Sequence, residues 1–232
     1  MSRYPPLGAL GPRLIAHWAL ATQTAAVDVG GLEHLPRAGP ALIVARHYHH
    51  LLDGAVLLTR LPRPVHIVVA LDWTANARQR RWMERACALA GWPVVLRPAA
   101  LPHARAFAAS ELMGYLRRGL RDAAHLLRDG RVVVVFPEGY PLVDPTPGDA
   151  PRPARDGDGF LPFAAGYRTI ANLAQRAGAR VPLVPLGFAY ARTGERWRID
   201  ARLGAPLAPD TPPDAVERAV RALSQAADGS SG

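Results

Sequence analysis

Apolar residues gather in short unbroken runs rather than alternating with polar ones: ALIVAR at 41–46, VHIVVA at 65–70, PVVLR at 93–97, VVVVF at 132–136, PLVPLGFAY at 182–190 and WRIDARL at 197–203. Continuous, β-branched apolarity of this length suits strands covered on both faces. Between most of these runs the apolar spacing becomes helical, over 50–60, 74–90, 106–128, 163–177 and 212–227. Strand and helix taking turns predicts a single α/β domain with a mainly parallel, helix-flanked sheet.

The boundaries are uneven in clarity. Thr211-Pro212-Pro213-Asp214 marks the start of the last helix, with proline at its first position and an acid just inside. Residues 142–159, rich in proline, glycine and aspartate, predict a long loop after the fourth run. Residues 1–29 read as an N-terminal helical segment whose LIAHWALATQTA stretch suits contact with a membrane. Residues 30–227 read as the domain proper and 228–232 as a disordered tail.

Charge narrows the choice of partner. The 232 residues carry 28 basic side chains against 19 acidic ones, a formal +9, which points to an anionic partner such as nucleic acid, a phosphorylated metabolite or an anionic membrane surface. All 28 are arginine, so chemistry needing a lysine nucleophile, a Schiff base or a P-loop lysine is excluded. The arginines are spread along the chain without a helix-turn-helix, RNP or zinc-finger pattern, so no nucleic-acid partner is expected. Between 73 and 92, Trp73, Trp82 and Trp92 interleave with Arg78, Arg80, Arg81 and Arg85, as a helix lying on an anionic surface requires. The N-terminus lacks the succession of a signal peptide, and no apolar run reaches the roughly 18 residues of a spanning helix. The single cysteine, Cys87, forbids an intrachain disulfide and reads as a small core residue.

The densest chemistry lies in RHYHHLLDG, Arg46 to Gly54. Three histidines suggest zinc, but Asp53 follows His50 after two leucines, the metallo-hydrolase spacing fails, and no later cluster completes a ligand set, so no metal is expected. Another reading has one histidine covering a helix start while the others face solvent. The remaining reading is an acid/base dyad: an imidazole at a strand end, oriented by a carboxylate one turn into the next helix. His47 with Asp53 fits it, and so does His49 with Asp53. No Gly-x-Ser-x-Gly elbow occurs and His125 is the last histidine, which counts against an α/β-hydrolase.

Further segments fall in a telling order around that stretch. GLEHLPRAGPALIVARH leads into it, then come Gly91-Trp92-Pro93-Val94-Val95-Leu96-Arg97, Phe136-Pro137-Glu138-Gly139, Val181-Pro182-Leu183-Val184-Pro185 and Gly204-Ala205-Pro206-Leu207. Over residues 30–208 this ordered set resembles the PlsC-like glycerolipid (lysophospholipid) acyltransferase family. The resemblance implies a glycerol-3-phosphate acyltransferase-like α/β fold. It also implies transfer of an acyl group from an acyl thioester, on acyl carrier protein or coenzyme A, to a hydroxyl of a lipid acceptor, without other cofactor. By resemblance His47 is the base and Asp53 its partner, with His49 the runner-up, while Arg97, Glu138 and Gly139 hold the acceptor. It places the protein on the cytoplasmic face of the membrane, in phospholipid biosynthesis or remodelling. Two departures stand out. The family spacing is His-x4-Asp, so His47 needs one inserted residue. Where the family continues Thr-Arg-Ser after Glu-Gly, this chain has Tyr140-Pro141-Leu142, without the phosphate-contacting arginine.

Overall fold

The computed structural model describes residues 10–100, 102, 104–144 and 154–226. The middle of the expected loop and the 228–232 tail lie outside them. The described chain begins with α1 (Leu10–Gln23), β1 (Thr24–Gly30), β2 (Ala41–Ala45) and α2 (Leu52–Arg60). It continues through β3 (Val65–Ile67), β4 (Val69–Ala70), α3 (Ala77–Ala90), β5 (Val94–Val95), α4 (Leu112–Arg128) and β6 (Val132–Val135). It ends with α5 (Gly166–Arg176), β7 (Leu183–Thr193), β8 (Arg196–Leu203) and α6 (Pro213–Ala226).

Six strands form one sheet in the order β1-β8-β7-β2-β6-β3, parallel throughout except for the β7–β8 hairpin. The unbroken apolar runs become its centre: every residue of β2 is buried, as are all four of β6. Alternate side chains feed two cores. Ala41, Ile43 and Ala45 meet α1 and α2 on one face, while Leu42 and Val44 meet α4, α5 and α6 on the other. The run at 65–70 splits after Ile67, so β3 stays with β6 while β4 leaves to pair with β5 in a two-stranded sheet. Leu71, Leu96 and Phe107 form a small third core there. At Gly187 of β7 an added Cβ would fall 2.4 Å from the backbone nitrogen of Ser224, so glycine is what lets α6 lie on the strand.

Two expectations need correcting. Residues 24–30 are not helical; they form β1, which pairs in parallel with β8 and packs Val27 and Val29 against the first core. The helix expected from 106 starts at Leu112, because 109–111 make a separate 3₁₀ turn. Among the described residues no helix is long and apolar enough to cross a membrane.

Candidate active site

The carboxyl ends of β2 and β6 lie side by side, where open parallel sheets collect ligands. Beyond β2 the chain runs on extended: the amides of Leu142 and Val143 donate to the carbonyls of His47 and Tyr48, continuing the pairing past both strands. It then turns into α2, whose first turn carries Asp53 back beneath the 47–49 backbone.

Asp53 is the hub. Its side chain is 0% exposed. Oδ2 accepts from the amides of Tyr48 (2.7 Å) and His49 (3.0 Å) and lies 3.0 Å from His47 Nδ1, while Oδ1 accepts from the Tyr190 hydroxyl at 2.5 Å. All of these neighbours can donate, so the group sits as a carboxylate and the His47 proton belongs on Nδ1. The fixed tautomer leaves the Nε2 lone pair to receive a proton. The His47 ring stacks on Phe136 at 4.3 Å and is 17% exposed, open enough for a substrate to reach.

His49 has another task. Its Nδ1 accepts from the amides of Leu51 and Leu52, both at 3.3 Å, satisfying donors at the start of α2 that no carbonyl reaches. Burial lowers its pKa to about 4, with His50 beside it adding to the fall, so the ring stays neutral.

Glu138 and Gly139 follow β6 directly. Glu138 Oε1 accepts from the His47 amide at 2.9 Å, and Oε2 accepts from Arg155 Nη1 and the Leu161 amide, both at 3.0 Å. Its side chain is wholly buried, so an acceptor would reach the carboxylate only by displacing one of these partners. Gly139 turns the chain with φ 73°, a conformation that glycine adopts without strain, and its carbonyl accepts from Arg97 Nη1 at 2.5 Å. Arg97, at the end of β5, forms a fork onto Asp72 with Nε and Nη2 (2.9 and 2.5 Å to Oδ2) and lies over the Tyr140 ring at 3.9 Å. Among the described residues no three histidine, cysteine or carboxylate side chains converge as metal ligands.

A sequence model of the acyltransferase family matches residues 26–189. The chain belongs to the acyltransferase family. The family match includes both strand ends, α2 and the turn at Gly139. No curated protein matches the sequence. Among solved structures the chain is similar to the 1-acyl-sn-glycerophosphate (LPA) acyltransferase PlsC from Thermotoga maritima, with TM-score 0.61 and 17% identity over 97% of this chain and 81% of that one. The acyltransferase is therefore an enzyme with the PlsC fold, a single α/β domain around a mostly parallel sheet.

Sequence reasoning missed three members of this acyltransferase's site. Tyr190 closes an apolar run, and only the reach of β7 beyond the end of β2, four residues past the Ala45–Leu186 pair, brings it to Asp53. Asp72 follows VHIVVAL as a carboxylate at a strand end, a usable signal. Arg155 comes from the long loop and donates to Glu138 and to the Tyr140 carbonyl, so an arginine reaches the turn that lacks one in its own sequence.

Proposed function

We propose that the chain moves a fatty acyl group from an acyl thioester, carried on acyl carrier protein or coenzyme A, to a hydroxyl of a glycerolipid-type acceptor. The observation behind this reading is the 3.0 Å contact of His47 Nδ1 with the buried Asp53 carboxylate. As the acceptor oxygen attacks the thioester carbonyl, Nε2 takes its proton and Asp53 stabilises the imidazolium. Collapse of the tetrahedral intermediate breaks the carbon–sulfur bond, and the departing thiolate takes that proton as thiol. No acyl-enzyme forms. Burial pushes the Cys87 thiol up to about 11, which keeps the one available thiol out of nucleophilic chemistry. Glu138 positions His47 through its backbone, and Arg97, with donors beyond those given to Asp72 and Gly139, faces the acceptor's anionic group.

The same reading puts the enzyme on the inner face of the membrane. On α1 the large side chains Leu14, Ile15 and Trp18 are 70, 59 and 66% exposed. On α3 the exposed stripe is Arg78, Arg81, Trp82, Arg85 and Leu89, while Arg80 turns inward onto Glu84 and Glu111 and Trp92 packs on the core. Arginines around exposed apolar side chains suit an anionic lipid surface.

The test is a screen of acceptor alcohols with radiolabelled acyl thioesters, comparing wild type with His47→Ala, His49→Ala and Asp53→Asn. Loss of roughly 10²–10⁴ in rate for His47→Ala with folding retained is expected. Full activity in His47→Ala alongside loss in His49→Ala would move the base to the runner-up, and unchanged rates in all three would end the dyad reading.

A further inference from the structure

A concavity of about 470 Å³ lies on the β7–β8 side of the 47–50 segment. The β7–β8 hairpin contributes Arg192, Glu195, Arg196 and Trp197 to its wall, His49, His50 and Val143 form another side, and Thr22 and Gln23 at the end of α1 complete it. None of these residues enters the proton-transfer chemistry assigned to His47.

Its lining favours an anion. Two guanidinium groups face one carboxylate, that of Glu195, and Asp144 acts electrostatically on His50 from the neighbouring segment. Arg192 is held in place before any ligand arrives: its guanidinium lies 3.8 Å over the Trp197 ring, and Nη1 donates to the Glu195 carbonyl at 2.9 Å. Part of the entropy of ordering a long side chain is therefore lost on folding rather than on binding. His49, neutral and with Nδ1 occupied by two backbone amides, carries its proton on Nε2, so the ring is a fixed donor in the wall. Gln23 adds a neutral donor, while the Thr22 hydroxyl donates to the Trp18 carbonyl at 2.9 Å and marks the cleft mouth. Planar forked donors beside compact ones match a tetrahedral group with several acceptor oxygens.

The approach to the cleft is apolar. Leu14, Trp18 and Thr22 follow one another at four-residue spacing along α1, so the exposed ridge of that helix runs up to the cleft mouth. We propose that this cleft is a phosphate-binding site, taking the headgroup phosphate of an anionic phospholipid whose chains lie along the α1 ridge, or a free phosphomonoester of the same chemistry. The site does not rest on the acyl-transfer reading, because its test reads binding alone.

The experiment measures cosedimentation of the whole chain with phosphatidylcholine vesicles with and without phosphatidic acid, and calorimetric titration with glycerol 3-phosphate and with inorganic phosphate. Arg192→Gln/Arg196→Gln is compared with Arg117→Gln/Arg121→Gln, an equal charge loss on the exposed side of α4. Each basic residue at an anionic surface is worth about fivefold in affinity, so the hairpin pair is expected to weaken binding to phosphatidic acid vesicles about thirtyfold, far more than the α4 pair. Thr22→Glu, which places a carboxylate at the cleft mouth without touching the hairpin, is expected to weaken it comparably. Binding of vesicles only, with no heat from the soluble phosphates, identifies a lipid headgroup; saturable binding of the soluble phosphates, abolished by the hairpin pair, identifies a phosphomonoester. Equal losses in the hairpin and α4 pairs, with wild-type behaviour of Thr22→Glu, would overturn the site.

Discussion

The hydroxyl of Tyr190, on β7, donates to Oδ1 of Asp53, on α2, at 2.5 Å across 137 residues of chain. Both groups are buried, and burial together with the facing carboxylate pushes the phenol pKa well above its ordinary value, so the hydroxyl keeps its proton and remains a donor. Tyr190→Phe removes that donor while keeping the ring that stacks on Tyr48 at 4.3 Å. A hydrogen bond to a charged group is worth about 1.5–3 kcal/mol, so urea unfolding should show a loss of that size. The rate should fall about tenfold or more through a less firmly held His47, and Tyr190→Phe matching wild type in both measurements would show that the contact orients nothing.

Much of this arrangement was legible in the sequence because it is local. The β2 run, the histidine cluster and Asp53 lie within 13 consecutive residues, and the order of the motifs identified the family before any contact was known. The choice between His47 and His49 was not legible. At a strand-to-helix turn both sit near the carboxylate, and spacing does not give the direction of each ring: His47 aims Nδ1 at Asp53, while His49 turns its Nδ1 to the helix amides. Tyr190 and Arg155 were hidden for a related reason, since sheet order and loop path bring them to the site rather than spacing, whereas Asp72 carried a signal as a carboxylate closing an apolar run. Strand β1 was missed because TAAVDVG is weakly patterned and becomes a strand through its pairing with β8.

The pH dependence of stability follows from His49. Its folded pKa of about 4 lies below the unfolded value near 6.5, so between these values the unfolded chain binds more protons and stability falls as pH falls. The contribution is fully present above pH 6.5 and lost by about pH 4. At pH 5 the single group should make the fold about 2 kcal/mol less stable than at pH 8. His50 and His66, also lowered by burial, tilt the curve the same way, so the contrast with His49→Asn isolates the effect. Asparagine can still accept from the helix amides but does not titrate. Denaturant melts at pH 8 and 5 should lie about 2 kcal/mol closer together in the variant than in the wild type, and an unchanged gap would contradict the assignment.

Arg97 variants should separate acceptor binding from chemistry. Its fork onto Asp72 and its contact with Gly139 O tie the end of β5 to the turn after β6. Lysine keeps the charge but cannot make the fork. Arg97→Lys should raise the acceptor KM about tenfold while leaving kcat and the thioester KM nearly unchanged. Asp72→Asn, which loosens the same guanidinium without removing it, should act in the same direction but more weakly. If instead both variants lower kcat with KM constant, Arg97 acts on the turn and not on the acceptor.

Variants at Glu138 and Arg155 should divide stability from catalysis. The Glu138 carboxylate joins three elements, with Oε1 on the His47 amide and Oε2 on Arg155 and the Leu161 amide. Arg155→Gln removes the ion pair and leaves both amide contacts, including the one at His47. Removing one partner of a buried pair costs about 3–5 kcal/mol, so the midpoint of denaturation should drop while kcat survives. Glu138→Gln cannot satisfy both sides: whichever way the amide is turned, its NH₂ meets either the His47 amide or the Arg155 and Leu161 donors. That variant should lose stability and kcat together, because the backbone that carries His47 is no longer held. In Glu138→Gln/Arg155→Gln the two amides can bond each other, so the double variant should be less unstable than the summed single losses. A kcat in Arg155→Gln as low as that of Glu138→Gln would mean that the 154–161 segment itself meets the substrate, and the division drawn between the two residues would fail.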